Sequence, residues 1–159
     1  MEKQKKKNNF VNLVFVGNGA IGKTAIFQRY IKDIFLNIFI STLGIDTQIK
    51  NVKMENGEII KVKVTDTPGQ ENFNSLLNCL KNAQGIIIIY DVTDKKSFEY
   101  ANEWINDIKK GLSFNTQLLL AGNKIDLEEG REVQTEEGEK LAEESGILFS
   151  ECSENRRKY

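Results

Sequence analysis

One stretch limits what this chain can fold into more than any other: Gly17-Asn18-Gly19-Ala20-Ile21-Gly22-Lys23-Thr24. It reads G-x-x-x-x-G-K-[ST], and it needs a strand before it and a helix after it. Phe10 to Val16 is apolar enough for a buried strand, and Ala25 to Lys32 has helical composition with no breaker. Glycines let the backbone curl so that successive N–H groups, here from Asn18 to Ala25, point at phosphate oxygens, and the helix N-terminus adds partial positive charge at the same place. Lys23 is then placed to reach β- and γ-phosphates, and the Thr24 hydroxyl to hold Mg²⁺. The plainer alternative, a glycine-rich turn before a helix, does not explain why the strand, the lysine and the threonine all stand in register.

Composition narrows the chemistry. At 159 residues the chain is one domain in size. Lys plus Arg number 22 against 23 for Asp plus Glu, so no polyanionic partner is indicated and nucleic acid is disfavoured. The absence of His removes the usual proton shuttle, and any metal must take oxygen ligands. Cys79 and Cys152 are too few for a disulfide framework or a zinc site, which points to reduced thiols and the cytosol. Residues 1–8 read as a solvated basic tail and 9–159 as the folded domain. The tail is not a signal peptide, because the apolar run that follows is broken by Asn12 and enters the phosphate loop. Glu2 rules out N-myristoylation, and no run approaches a membrane span.

Asp33 to Gly44 reads as a loop. Ile45 to Met54 and Ile59 to Thr65 read as antiparallel strands joined at Asn56-Gly57. Ile86 to Tyr90 and Leu118 to Ala121 are continuous apolar strands of a parallel sheet covered on both faces. Ser97 is expected to cap a helix that closes at Gly111, and Thr135 another that closes at Gly146, with Leu148 to Glu151 a last strand. The fold class is therefore α/β: a three-layer sandwich on a mostly parallel six-stranded sheet with one antiparallel edge hairpin.

In such sheets ligands lie beyond the carboxyl ends of the parallel strands. Asp66-Thr67-Pro68-Gly69-Gln70 follows one strand and offers Mg²⁺ a carboxylate. Asn123-Lys124-Ile125-Asp126 follows another. Asp126 can accept from N1–H and the 2-amino group of guanine, two donors that adenine does not offer, so ATP would leave buried acceptors unpaired. Asn123 can serve the other edge of the base, and the stem of Lys124 its face.

With these motifs in order, the chain resembles a small GTPase of the Ras superfamily, a P-loop NTPase. Ser41 to Asp46 (STLGID), Ile86 to Glu99 (IIIIYDVTDKKSFE) and Gly122 to Leu127 (GNKIDL) look most like the Rab branch. The resemblance runs from about Phe10 to Ser153. It implies that Phe35 stacks on guanine, that Thr42 binds Mg²⁺ and senses the γ-phosphate, that Asp66 meets Mg²⁺ through water, and that Gly69 donates its N–H to the γ-phosphate. It also implies that Gln70 orients the attacking water, that a side chain at Gly19 would crowd Gln70 and an incoming arginine, and that Mg²⁺ with GTP or GDP is the cofactor set. The implied partners are an exchange factor, an activating protein and effectors. With no arginine in Ile38 to Gly44, intrinsic turnover is expected on the order of 10⁻⁴ s⁻¹, the scale of Ras itself, rising when a partner supplies an arginine.

The departures from the pattern are specific. Pro68 replaces the usual Ala before the glycine that must swing to the γ-phosphate. Thr47 and Thr65 stand where Rab proteins carry an aromatic Phe and Trp, and Cys79-Leu80 where tyrosines are common. Ser153-Glu154-Asn155 replaces Ser-Ala-Lys, where the Glu154 backbone can still reach the guanine oxygen. The family's final helix and prenylated cysteines have no counterpart before Tyr159, so the expectation is a truncated chain, or a sheet face paired with another surface, and a cytoplasmic monomer without its own lipid anchor. A nucleotide-binding interaction protein that no longer hydrolyses GTP is the alternative function. An ATP-using kinase would leave Asn123 and Asp126 without a role.

Overall fold

Alternation along the first strand sets up the layers. The computed structural model describes residues 10–32, 44–112 and 115–153, and within them β1 (Phe10–Val16) sends Val14 and Val16 to one face and Phe15 to the other. The chain continues through α1 (Lys23–Lys32), β2 (Asp46–Lys53), β3 (Ile59–Asp66), α2 (Phe73–Leu80), β4 (Gly85–Asp91), α3 (Lys95–Gly111) and β5 (Gln117–Asn123). A short 3-10 turn (Glu128–Gly130), α4 (Thr135–Ser145) and β6 (Leu148–Glu151) complete it. The expected tail, Phe35, Thr42, Glu154 and most of the expected loop before Gly44 lie outside the described residues.

The six strands lie in the order β2-β3-β1-β4-β5-β6, all parallel except β2, which runs antiparallel to β3. Met54 and Glu58 close the hairpin around Gly57, whose φ of +82° is the left-handed conformation that an Asn-Gly turn requires. From β1 the chain moves outward to β3 on one side and, later, to β4 on the other. The loop after β1 therefore sits at the point where the winding reverses, the usual ligand position in such sheets.

One face is covered by α2, α3 and α4. Leu76 and Leu80, then Ala101, Trp104, Ile105 and Ile108, then Ala142 pack on Val14, Val16, Ile86, Ile88, Tyr90, Leu118 and Leu120. The other face carries Phe27 of α1 on Phe15, Val62, Val64, Ile89 and Ala121. Phe27 is fully buried, which contributes about 1.5–3 kcal/mol relative to exposure. Farther along that face Ile87 and Leu119 pair in register and are only half-buried, and Leu148, paired with Leu119, is 62% exposed. Among the described residues α1 is the sole helix on this side.

The helix ends depart from expectation in three places. Asp94, not Ser97, caps α3, accepting from Lys96 N at 3.0 Å. Ser97 lies buried inside the first turn, where its hydroxyl accepts from Asp91 N and donates to Asp94 O, tying the helix to the end of β4. Gly111 is the last helical residue, with Leu112 the extended C-cap, and a Cβ on it would lie 2.4 Å from Phe73 Cζ. Its smallness serves the α2–α3 contact and not a left-handed cap. At the N-cap of α4 the Gln134 backbone N–H donates to Glu137 Oε2 at 2.9 Å, leaving Thr135 as the first helical residue, while Gly146 is the left-handed cap expected of it. Helix α2 was not anticipated, although Asn72 and Ser75 form a reciprocal capping box and Phe73, Leu76, Leu77 and Leu80 recur at helical spacing.

Candidate nucleotide-binding site

The phosphate loop leaves β1 through conformations that side chains resist. Gly17 has φ +140°, and a Cβ there would lie 2.4 Å from the Ile89 carbonyl oxygen. Ala20 and Gly22 have φ of 63° and 89°. Left-handed backbone of this kind is the conformation from which anion nests are built. The Lys23 ammonium lies inside the curl and donates to Gly17 O at 2.8 Å and Asn18 O at 2.5 Å. Burial lowers its pKa to about 8, with the nearby Asp66 charge opposing part of that shift.

Beyond β3, Thr67 anchors the Asp66-Gln70 segment by donating to Phe15 O at 2.7 Å. The Thr24 hydroxyl donates to Asp66 Oδ2 at 2.5 Å. Burial pushes the Asp66 carboxyl above its ordinary range, against the hydrogen bond from Thr24 and the charge of Lys23. Its Oδ1 is buried with no hydrogen-bond partner. A desolvated carboxylate oxygen with spare acceptor capacity, beside a hydroxyl, fits a hard divalent cation that takes oxygen ligands. No group of three or more Asp, Glu, Cys or His among the described residues could hold a metal unaided.

Gly69 approaches the phosphate loop so closely that a Cβ would lie 2.2 Å from Gly19 N. Gln70 is exposed at the rim of a cleft of about 420 Å³ that runs from Asn18 and Gly19 to Trp104 and Asp107 of α3. At Gly19 a Cβ would meet nothing within 4 Å.

The Asn123-Asp126 segment is joined to the phosphate loop by its own side chains. Asn123 Nδ2 donates to Ile21 O at 2.9 Å, and Lys124 Nζ to Ala20 O at 2.9 Å. Lys124 also pairs with Asp91 at 2.6 Å, and Asp91 is held by the Thr93 backbone and hydroxyl. Lys124 takes φ 68°, a left-handed turn two residues before Asp126. Ser153 donates to Asp126 Oδ1 at 2.5 Å. Sequence reasoning passed over Asp91, whose signal was a lone carboxylate ending an otherwise apolar strand.

A profile of the Ras family matches residues 12–159. Ras-related protein Rab-13 of Mesocricetus auratus is 43% identical over 150 residues, covering 94% of this chain and 73% of that protein. Ras-related protein RIC1 of Oryza sativa subsp. japonica is 42% identical over 142 residues, covering 89% and 70%. GTP-binding protein YPTM2 of Zea mays is 40% identical over the same number of residues, again covering 89% and 70%. With the nucleotide motifs gathered at one end of this sheet, the chain belongs to the Ras family and is a Rab-like small GTPase.

Proposed function

We propose that this chain binds GTP and GDP with Mg²⁺, hydrolyses GTP slowly, and acts as a switch in vesicle traffic. The observation that carries the reading is the direct bonding of Asn123 and Lys124 to the carbonyls of Ile21 and Ala20. That bonding supports reading the Asn123-Asp126 and Gly17-Thr24 segments as two parts of a single nucleotide site.

In this reading the N–H groups from Asn18 to Ala25 and the Lys23 ammonium bind the phosphates, while Asp126, supported by Ser153, accepts from the guanine edge. Thr24 and Asp66, joined by Thr42 in the GTP state, would hold Mg²⁺, which would supply positive charge to offset that of the phosphates. Gln70 orients water for in-line attack and Gly69 N–H meets the γ-phosphate. Phe35 stacks on the base, and the backbone at Glu154 reaches the guanine oxygen. Loss of the γ-phosphate releases the segments around Thr42 and Gln70, which changes the surface offered to effectors, exchange factor and activating protein. Among the described residues no helix is long and apolar enough to cross a membrane. The Rab-like relatives support the assignment to traffic.

Single-turnover hydrolysis of γ-labelled GTP tests this. The expectation is slow phosphate release that depends on Mg²⁺ and falls about tenfold or more in Gln70→Leu, as loss of a positioned catalytic group does. Tight GTP binding with no release above the buffer rate would overturn the enzymatic part.

A further inference from the structure

Beyond the motifs themselves, a half-buried ion pair stands behind the base-reading end of the site. The Arg131 guanidinium meets Glu151 through both nitrogens, Nη1 to Oε1 at 2.7 Å and Nη2 to Oε2 at 3.3 Å. The side chains are only 15% and 12% exposed. Thr135 adds a third bond, donating to Glu151 Oε2 at 3.0 Å, and Arg131 Nη1 also donates to Val133 O at 3.1 Å. A forked pair of this kind fixes both position and angle, which a single lysine contact would not.

What it fixes follows from the chain on either side. Arg131 comes five residues after Asp126, at the end of the 3-10 turn that leaves the Asn123-Asp126 segment. Glu151 ends β6, an edge strand of four residues paired with β5. The next two residues grip the same segment: Cys152 N donates to Gly122 O at 2.8 Å, and Ser153 Oγ donates to Asp126 Oδ1 at 2.5 Å. So short a strand has little ladder of its own to hold its register. The side-chain clamp supplies what the ladder lacks, and it joins the exit of one base-reading segment to the entry of the other.

We infer that Arg131 and Glu151 are positioning residues for base selectivity, clamping β6 so that Ser153 holds the Asp126 carboxylate at the angle needed to accept two donors from guanine. The inference rests on the guanine-site reading above. It acts through Asp126 and Ser153, and neither clamp residue touches the base.

The test compares GDP with inosine diphosphate, which lacks the 2-amino group, by calorimetric dissociation constants on the full chain. Arg131→Ala, Arg131→Lys, Glu151→Gln and the charge-reversed pair Arg131→Glu with Glu151→Arg are measured alongside thermal midpoints. The parent is expected to prefer GDP. The single variants are expected to lose about tenfold in GDP affinity and less for inosine diphosphate, so that the preference shrinks toward unity, with Arg131→Lys intermediate and the reversed pair recovering part of it. Phosphate-end behaviour, read as Mg²⁺ dependence of GDP release, should not change. Equal losses for both nucleotides, or lower midpoints with the preference intact, would overturn the inference and leave the guanine-site reading standing. A parent with no preference for GDP would overturn that reading and this inference with it.

Discussion

The Thr24 hydroxyl reaches Asp66 Oδ2 at 2.5 Å across 42 residues of sequence, and the other carboxylate oxygen is buried with no partner. One segment leaves β1 and the other leaves β3, and these strands are parallel neighbours in the sheet. Adjacent parallel strands bring their carboxyl ends together, so the contact is a consequence of topology as much as of either residue.

Mg²⁺ dependence follows from that contact. Asp66→Ala removes the carboxylate, and the concentration of Mg²⁺ that half-protects bound GDP from release should rise about 10- to 100-fold. The measurement is the release rate of a fluorescent GDP analogue across a Mg²⁺ titration. An unchanged midpoint would show that the pair is structural.

Protonation of Lys23 should couple to both stability and binding. Its pKa stands at about 8 against an ordinary 10.5. Between these values the unfolded chain binds a proton that the folded, nucleotide-free chain does not, so nucleotide-free stability should rise with pH across that window and flatten above it. Lys23→Met should remove the slope. Phosphates would restore the charge, so GDP binding at pH 8 should take up about half a proton, measured calorimetrically in buffers of different ionisation enthalpy.

Two neighbouring glycines should respond differently to a side chain. Gly69→Ala places a carbon against Gly19 N and Gly19 Cα, and the backbone must move, at a cost of about 1–3 kcal/mol. Gly19→Val has open space and should unfold within about 0.5 kcal/mol of the parent. Gly19 and Gln70 line the same cleft, so hydrolysis should still fall about 10²-fold through misplacement of the reacting groups. Chemical denaturation and single-turnover kinetics on both variants separate the two effects.

Base choice should turn on Asp126. Asp126→Asn replaces an acceptor by a donor on one side, so GDP affinity should fall about 10- to 100-fold. Xanthosine diphosphate, which carries an oxygen where guanine carries the 2-amino group, should gain. Paired titrations of the two nucleotides check it, and a variant with unaltered preference would remove Asp126 from the base site.

Much of this was legible in the residues because the signals were local. The Gly17-Thr24 pattern implied the strand, loop and helix that β1 and α1 form, Asn56-Gly57 marked the β2–β3 turn, and the uninterrupted runs at Ile86 and Leu118 marked central parallel strands. The misses were of two kinds. At Ser97, Gly111 and Thr135 the residue type fits a cap, but tertiary contacts with Asp91, Phe73 and Glu151 claim it. The ion pairs of Asp91 with Lys124 and of Arg131 with Glu151 were not legible, because each joins residues distant in sequence and spacing carries no sign of that.

We propose that this end of the sheet holds a guanine nucleotide. Purifying the chain, denaturing it and separating the released small molecules by chromatography tests that most directly. GDP or GTP is expected at close to one per chain. Adenine nucleotide in that amount, or a folded protein that releases none and binds none when GDP is added, would contradict it.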